Sequence, residues 1–137
     1  MKYGYIPLSL ITLLLLNSCF VQWIEDSIAE APEPSVRTFI GDKTTVAPGE
    51  SVTFTVTGKT TDWHIGSQYD YSGKLKLSCK NLSYESSQKS FDKTIDTNFV
   101  YSFDEGASEG SYKFTATIED SSGDTDNKTL TIEVVSP

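Results

Sequence analysis

The sequence is poor in the residues that most chemistry needs. It has one histidine, His64, and two cysteines, Cys19 and Cys79, so it cannot build a His/Cys metal cluster or a framework of disulfides. No Gly-rich phosphate loop and no nucleophile signature occurs. Carboxylate pairs exist at Asp104-Glu105 and Glu119-Asp120, but neighbouring strand or turn residues point apart, so they do not suggest glycosidase-like geometry. An enzyme is therefore not expected. Basic residues are also scarce: 11 Lys and Arg against 19 Asp and Glu give a net charge of -8. They stand singly, without an Arg-rich stripe, so the counterion release that drives nucleic-acid binding is missing and no nucleic-acid partner is expected. No apolar run reaches the roughly 20 residues that a spanning helix requires. After Pro34 no stretch shows helical periodicity.

What is there begins with a leader. Met1-Lys2 is a short positive start, Ile6 to Leu16 is an apolar run, and Asn17-Ser18 precede Cys19, the layout of a secretory signal. Leu16-Asn17-Ser18-Cys19 resembles a bacterial lipobox. That resemblance implies lipidation of the Cys19 thiol, cleavage before it, and an envelope location, at the outer membrane or cell surface. The alternative is an ordinary signal peptide that contains a cysteine. Loss of residues 1–18 leaves about 119 residues, one domain's worth, and carries Lys2 away. Every Asp and Glu lies after Cys19, so the charge becomes -8 - 1 = -9.

Residues 19–35 read as a tether. Glu25 to Ser35 is acidic and holds Pro32 and Pro34, a composition that favours extended chain, and about 17 flexible residues reach on the order of 25 Å. Phe20, Val21, Trp23 and Ile24 lend themselves instead to the membrane interface beside the acyl chains, and a short helix over Val21 to Ala29 is the structural alternative.

From residue 36 to residue 137 strict alternation dominates, and a period of two means half-buried strands. Val52, Phe54 and Val56 alternate with Ser51, Thr53, Thr55 and Thr57. Leu75, Leu77 and Cys79 alternate with lysines and serine, which places Cys79 in a core. Tyr112, Phe114, Ala116 and Ile118 form a third row, and Leu130, Ile132 and Val134 a fourth. Less regular strands are expected at Val36–Ile40, Thr61–Gly66, Ser90–Ile95 and Asn98–Phe103. Seven or eight short strands with one apolar face each must cover those faces with one another, which predicts an all-β sandwich.

Val46 to Gly58 and Gly110 to Gly123 resemble the second and penultimate strands of bacterial immunoglobulin-like domains of the PKD-like kind. Trp63 is followed by His64-Ile65-Gly66-Ser67 in place of the Phe-Gly-Asp-Gly type of turn. The resemblance implies display, spacing or adhesion, and a tyrosine-corner hydrogen bond from Tyr112, although Ser108 stands where such chains often have Asp.

Two candidate sites follow. Trp63, Gln68, Tyr69, Asp70 and Tyr71 form the densest mixture of aromatic and polar groups behind the anchor, suited to a protein interface or to stacking on sugar faces; Trp63 itself is expected first as a core tryptophan of the sandwich. Asp120, Asp124 and Asp126 surround Gly123 in a turn and can offer oxygens to calcium, although the spacing is not an EF-hand's and a solvated turn explains them as well. His64 is expected to be structural or surface. Three functions stay open: a membrane-anchored binding, adhesion or accessory module for a protein partner, a carbohydrate-binding module, and a lipid-anchored inhibitor or immunity protein. Apart from the lipid and the calcium option, no cofactor is expected.

Overall fold

The computed structural model describes residues 33–60 and 72–137, which belong to the compact unit Pro32–Pro137. The leader, Cys19, the tether up to Pro32 and the strand expected at Thr61–Gly66 lie outside the described residues. Those described form the strands β1 (Ser35–Gly41), β2 (Thr45–Val46), β3 (Ser51–Lys59), β4 (Ser72–Cys79), β5 (Tyr84–Glu85), β6 (Lys89–Asp92), β7 (Thr94–Ser102), β8 (Gly110–Asp120) and β9 (Thr125–Val134), with one 3-10 turn at Lys80–Leu82. They make two sheets, β1-β3-β7 and β2-β9-β8-β4-β5, with β6 also paired to β4. Neighbours run antiparallel except β2 on β9. The expected all-β sandwich is what the chain forms.

The period of two sets the core. On β3, Val52, Phe54 and Val56 are fully buried while the threonines between them face out. Leu75, Leu77 and Cys79 of β4, Phe114, Ala116 and Ile118 of β8, and Ile132 and Val134 of β9 meet them from the other sheet. Phe54 packs on Phe39 and Phe114 at ring distances of 5.6 and 4.6 Å. Each such ring removed from water contributes about 1.5 to 3 kcal/mol, so this contact between the sheets is a large part of what holds them face to face. Gly58 continues the inward row of β3 without a side chain because Ile118 fills the place: a Cβ there would lie 2.3 Å from Ile118 Cδ1.

Both lateral seams are closed by polar side chains. The β1-β3 register shifts between Val36 and Thr38, and there β9 reaches β1: Asp126 Oδ2 accepts from Val36 N at 2.7 Å and Lys128 Nζ donates to Arg37 O at 2.6 Å. Across the opposite seam Lys89 of β6 donates to Thr97 Oγ1 of β7 at 2.7 Å and lies 4.6 Å from the centre of the Phe99 ring.

One expectation is corrected. The strands expected at Ser90–Ile95 and Asn98–Phe103 are instead β6 and β7, divided at Lys93, whose φ of 63° breaks the extended run. Thr97 sits in an inward row, Ile95-Thr97-Phe99-Tyr101, where a polar residue disguised the continuity; the Lys89 ammonium is what satisfies it there. The last strand follows directly on the turn ending at Asp124, as expected, and begins at Thr125. The tyrosine corner is present: Tyr112 Oη donates to Ser108 O at 2.7 Å. Its acceptor is backbone, so the absence of Asp at 108 does not matter.

Candidate functional site

The strand registers sort the loops into two ends. Ser35 pairs with Lys59, Ser72 with Asp92, and Gly73 with Asp120, while Thr60 N donates to Lys93 O at 2.9 Å. The start of β1, the ends Thr60 and Ser72 of the connection 61–71, and the β8-β9 turn therefore share one end. Trp63, Gln68, Tyr69, Asp70 and Tyr71 fall within that connection and lie outside the described residues, as does His64. Its two stems are fixed: Thr60 is buried, with an Oγ1 that has no hydrogen-bond partner among the described residues, and Gly73 leaves room for Phe91 and Thr60, to which a Cβ would approach within 2.7 and 3.0 Å. Beside Ser72 opens a cleft of about 290 Å³ lined by Ser72, Gly73, Lys74, Ser90, Glu119, Asp120 and Ser121.

The three aspartates proposed for calcium are placed on separate tasks. Asp120 is only 6% exposed, and its Oδ1 accepts from Ser122 N at 3.0 Å and Asp124 N at 2.9 Å. That is an Asx turn, closed by Gly123 at φ 92°. Asp124 is exposed at the tip, and Asp126 reaches across the seam to Val36 N. Among the described residues no group of three His, Cys, Asp or Glu converges as a cation would need.

The other end carries the turn around Gly49, whose N–H donates to Asp104 O at 3.0 Å, the tyrosine corner, and the Lys80–Leu82 turn. Under it lies an aromatic cluster that sequence reasoning missed. Tyr101 packs on Tyr84, Phe103 and Phe114 at 4.7, 5.0 and 5.4 Å, and burial pushes the phenols of Tyr84 and Tyr101 up from their ordinary range. Tyr84 belongs to a two-residue strand, too short to show a period; the only signal was the outward-inward rhythm of Tyr101 and Phe103. Cys79 lies against the same cluster and is 1% exposed. Burial pushes its thiol up, only partly offset by backbone hydrogen bonds at Leu82 and Asn81, so it stays protonated and covered. It has no access for nucleophilic work.

No family model matches the chain, and no curated protein matches it. Among solved structures it is similar to a CARDB domain from Pyrococcus furiosus, solved in complex with di-metal ions, at a TM-score of 0.50 and 15% identity, over 77% of this chain and 90% of that one. The likeness is one of fold: an immunoglobulin-like sandwich of two sheets.

Proposed function

We propose that the chain is an exported lipoprotein, anchored through Cys19, whose immunoglobulin-like sandwich is a non-enzymatic accessory module that grips a protein partner at the bacterial envelope. The observation that carries this reading is the cysteine itself, placed directly behind the apolar run Ile6 to Leu16 and about 16 residues before β1 begins at Ser35. The shared end supports the choice of partner. The aromatic connection 61–71 leaves from Thr60 and returns at Ser72, at the end where the anchor-side chain enters the domain. A tether on the order of 25 Å long keeps that end near the head groups, so a partner that itself sits at the membrane is reached more readily than a free glycan. Rigid rings such as Tyr69 and Tyr71 offer contact area at low entropy cost.

A photo-crosslinking residue at Tyr71, compared with one at Glu105 on the opposite end, tests this. In intact cells Tyr71 is expected to give discrete adducts with a membrane protein and Glu105 none. Adducts from Glu105 alone would overturn the choice of end, and adducts with glycan from Tyr71 would favour the carbohydrate-binding reading.

A further inference from the structure

The β1-β3-β7 sheet ends on β7. In antibody-type immunoglobulin domains a fourth strand lies beyond the corresponding position, whereas here β6, the strand before β7, pairs with β4 in the opposite sheet. Among the described residues no strand pairs with the outer edge of β7. In an antiparallel pair, residues that bond the neighbour alternate with residues whose N–H and C=O point away from it. The bonds Thr60 N to Lys93 O and Phe103 N to Glu50 O set the phase. Ile95, Thr97, Phe99 and Tyr101 thus bond β3, and Thr94, Asp96, Asn98 and Val100 hold their backbone groups outward. Lys89 covers the middle of this edge: its Nζ donates to Asn98 O at 2.9 Å and to Thr97 Oγ1 at 2.7 Å.

We propose that the β7 edge is a self-association surface, on which β7 of a second copy pairs antiparallel about a two-fold axis through Thr97, and that the Lys89 ammonium holds this surface shut. The segment Thr94-Ile95-Asp96-Thr97-Asn98-Phe99-Val100 is its own complement in that register. Thr94 meets Val100, Ile95 meets Phe99, Asp96 meets Asn98, and Thr97 meets itself, so β-branched, apolar and carboxylate-amide pairs are all of the favourable kind. The outward groups of Thr94, Asp96, Asn98 and Val100 face one another, and each such pair exchanges two backbone bonds. Moving the axis to Asp96 would set the two carboxylates face to face, and moving it to Asn98 would set Asp96 against Val100. An axis between two residues would oppose outward groups to groups already used by β3. Val100, exposed to 63%, becomes covered only in the pairing. Segment 94–100 carries a single charge in a chain of net charge -8, so it adds little repulsion between copies. Lys89 acts at the axis, on the two residues where a second strand must first bond, which is how lysine protects an open edge.

The test uses the full chain with Lys89→Met, which keeps an unbranched apolar side chain and removes the ammonium, combined with Thr97→Cys. Directly opposed residues of a non-hydrogen-bonded antiparallel pair have Cα atoms about 4.5 Å apart, within disulfide reach. On non-reducing electrophoresis after mild oxidation of membranes, Lys89→Met with Thr97→Cys should give at least about tenfold more linked dimer than Thr97→Cys alone. Adding Asn98→Pro, which an edge strand tolerates, should abolish it. The parent chain without the new cysteine sets the background, and thermal unfolding shows that each variant is folded. Folded Lys89→Met/Thr97→Cys chains that link no more than Thr97→Cys alone would overturn the proposal. So would equal linking from Lys89→Met with Val100→Cys, since Val100 does not meet itself in this register.

Discussion

Gly58→Ala is expected to destabilise the domain through one identifiable overlap. The new Cβ would stand 2.3 Å from Ile118 Cδ1 and 2.7 Å from Ser35 O, where ordinary contact begins at 3.4 Å. Ile118 can yield by leaving its rotamer, at about 0.5 to 1.5 kcal/mol. Ser35 O is backbone in β1 and yields only if the strand shifts. Together these fall within the usual cost of overpacking, about 1 to 3 kcal/mol, which lowers the melting temperature by roughly 4 to 8 °C for each kcal/mol in a domain of this size. Ile118→Val removes Cδ1 and by itself costs about 0.5 to 1.5 kcal/mol. The double variant should lose less than the sum of the two, by on the order of 1 kcal/mol, and the remaining loss belongs to the Ser35 contact. Calorimetric or denaturant unfolding of the four chains gives the cycle. Strict additivity, or a Gly58→Ala chain within about 0.5 kcal/mol of the parent, would refute the packing described for the β3-β8 contact.

Tyr112→Phe keeps the ring against Phe103 and deletes the bond to Ser108 O; a loss of about 0.5 to 1.5 kcal/mol is expected by urea unfolding, and no loss would show that the corner is ornamental. The Cys79 thiol should label only after denaturation, and rapid labelling in native buffer would contradict its burial. Cys79, Tyr84 and Tyr101 all have folded pKa values raised by burial above their ordinary 9.0 and 10.0. The neutral forms are favoured in the folded state, so stability from these groups is fully present below those ordinary values and is lost as pH rises through and above them; a melting temperature that climbs between pH 9 and 11 would contradict this sign. Because Asp120 and Asp126 are committed to backbone N–H groups, calcium and chelator should leave the melting temperature unchanged, and a calcium-dependent rise would restore the cation site.

The strands that alternate without interruption were legible from sequence. Val52, Phe54 and Val56, or Phe114, Ala116 and Ile118, announce their faces because each is buried on one side only. The β6-β7 boundary was not, because its polar inward residue, Thr97, is satisfied by Lys89 from another sheet, a contact no local pattern encodes. Strands β2 and β5 have two residues each, below the length at which a period exists. Asp126 looked like a ligand beside Asp120 and Asp124, yet its work lies 90 residues away in sequence, at Val36. The aromatic segment Trp63 to Tyr71 was legible as composition alone; what the fold adds is the end from which it leaves.

The anchor is the claim on which the functional reading rests, and the intact mass of the mature protein tests it most directly. The mature chain is expected to begin at Cys19, carry acyl mass on that residue and partition into detergent, whereas Cys19→Ala keeps its leader and gains no lipid. A mature wild-type chain that stays in the aqueous phase without acyl mass would contradict it.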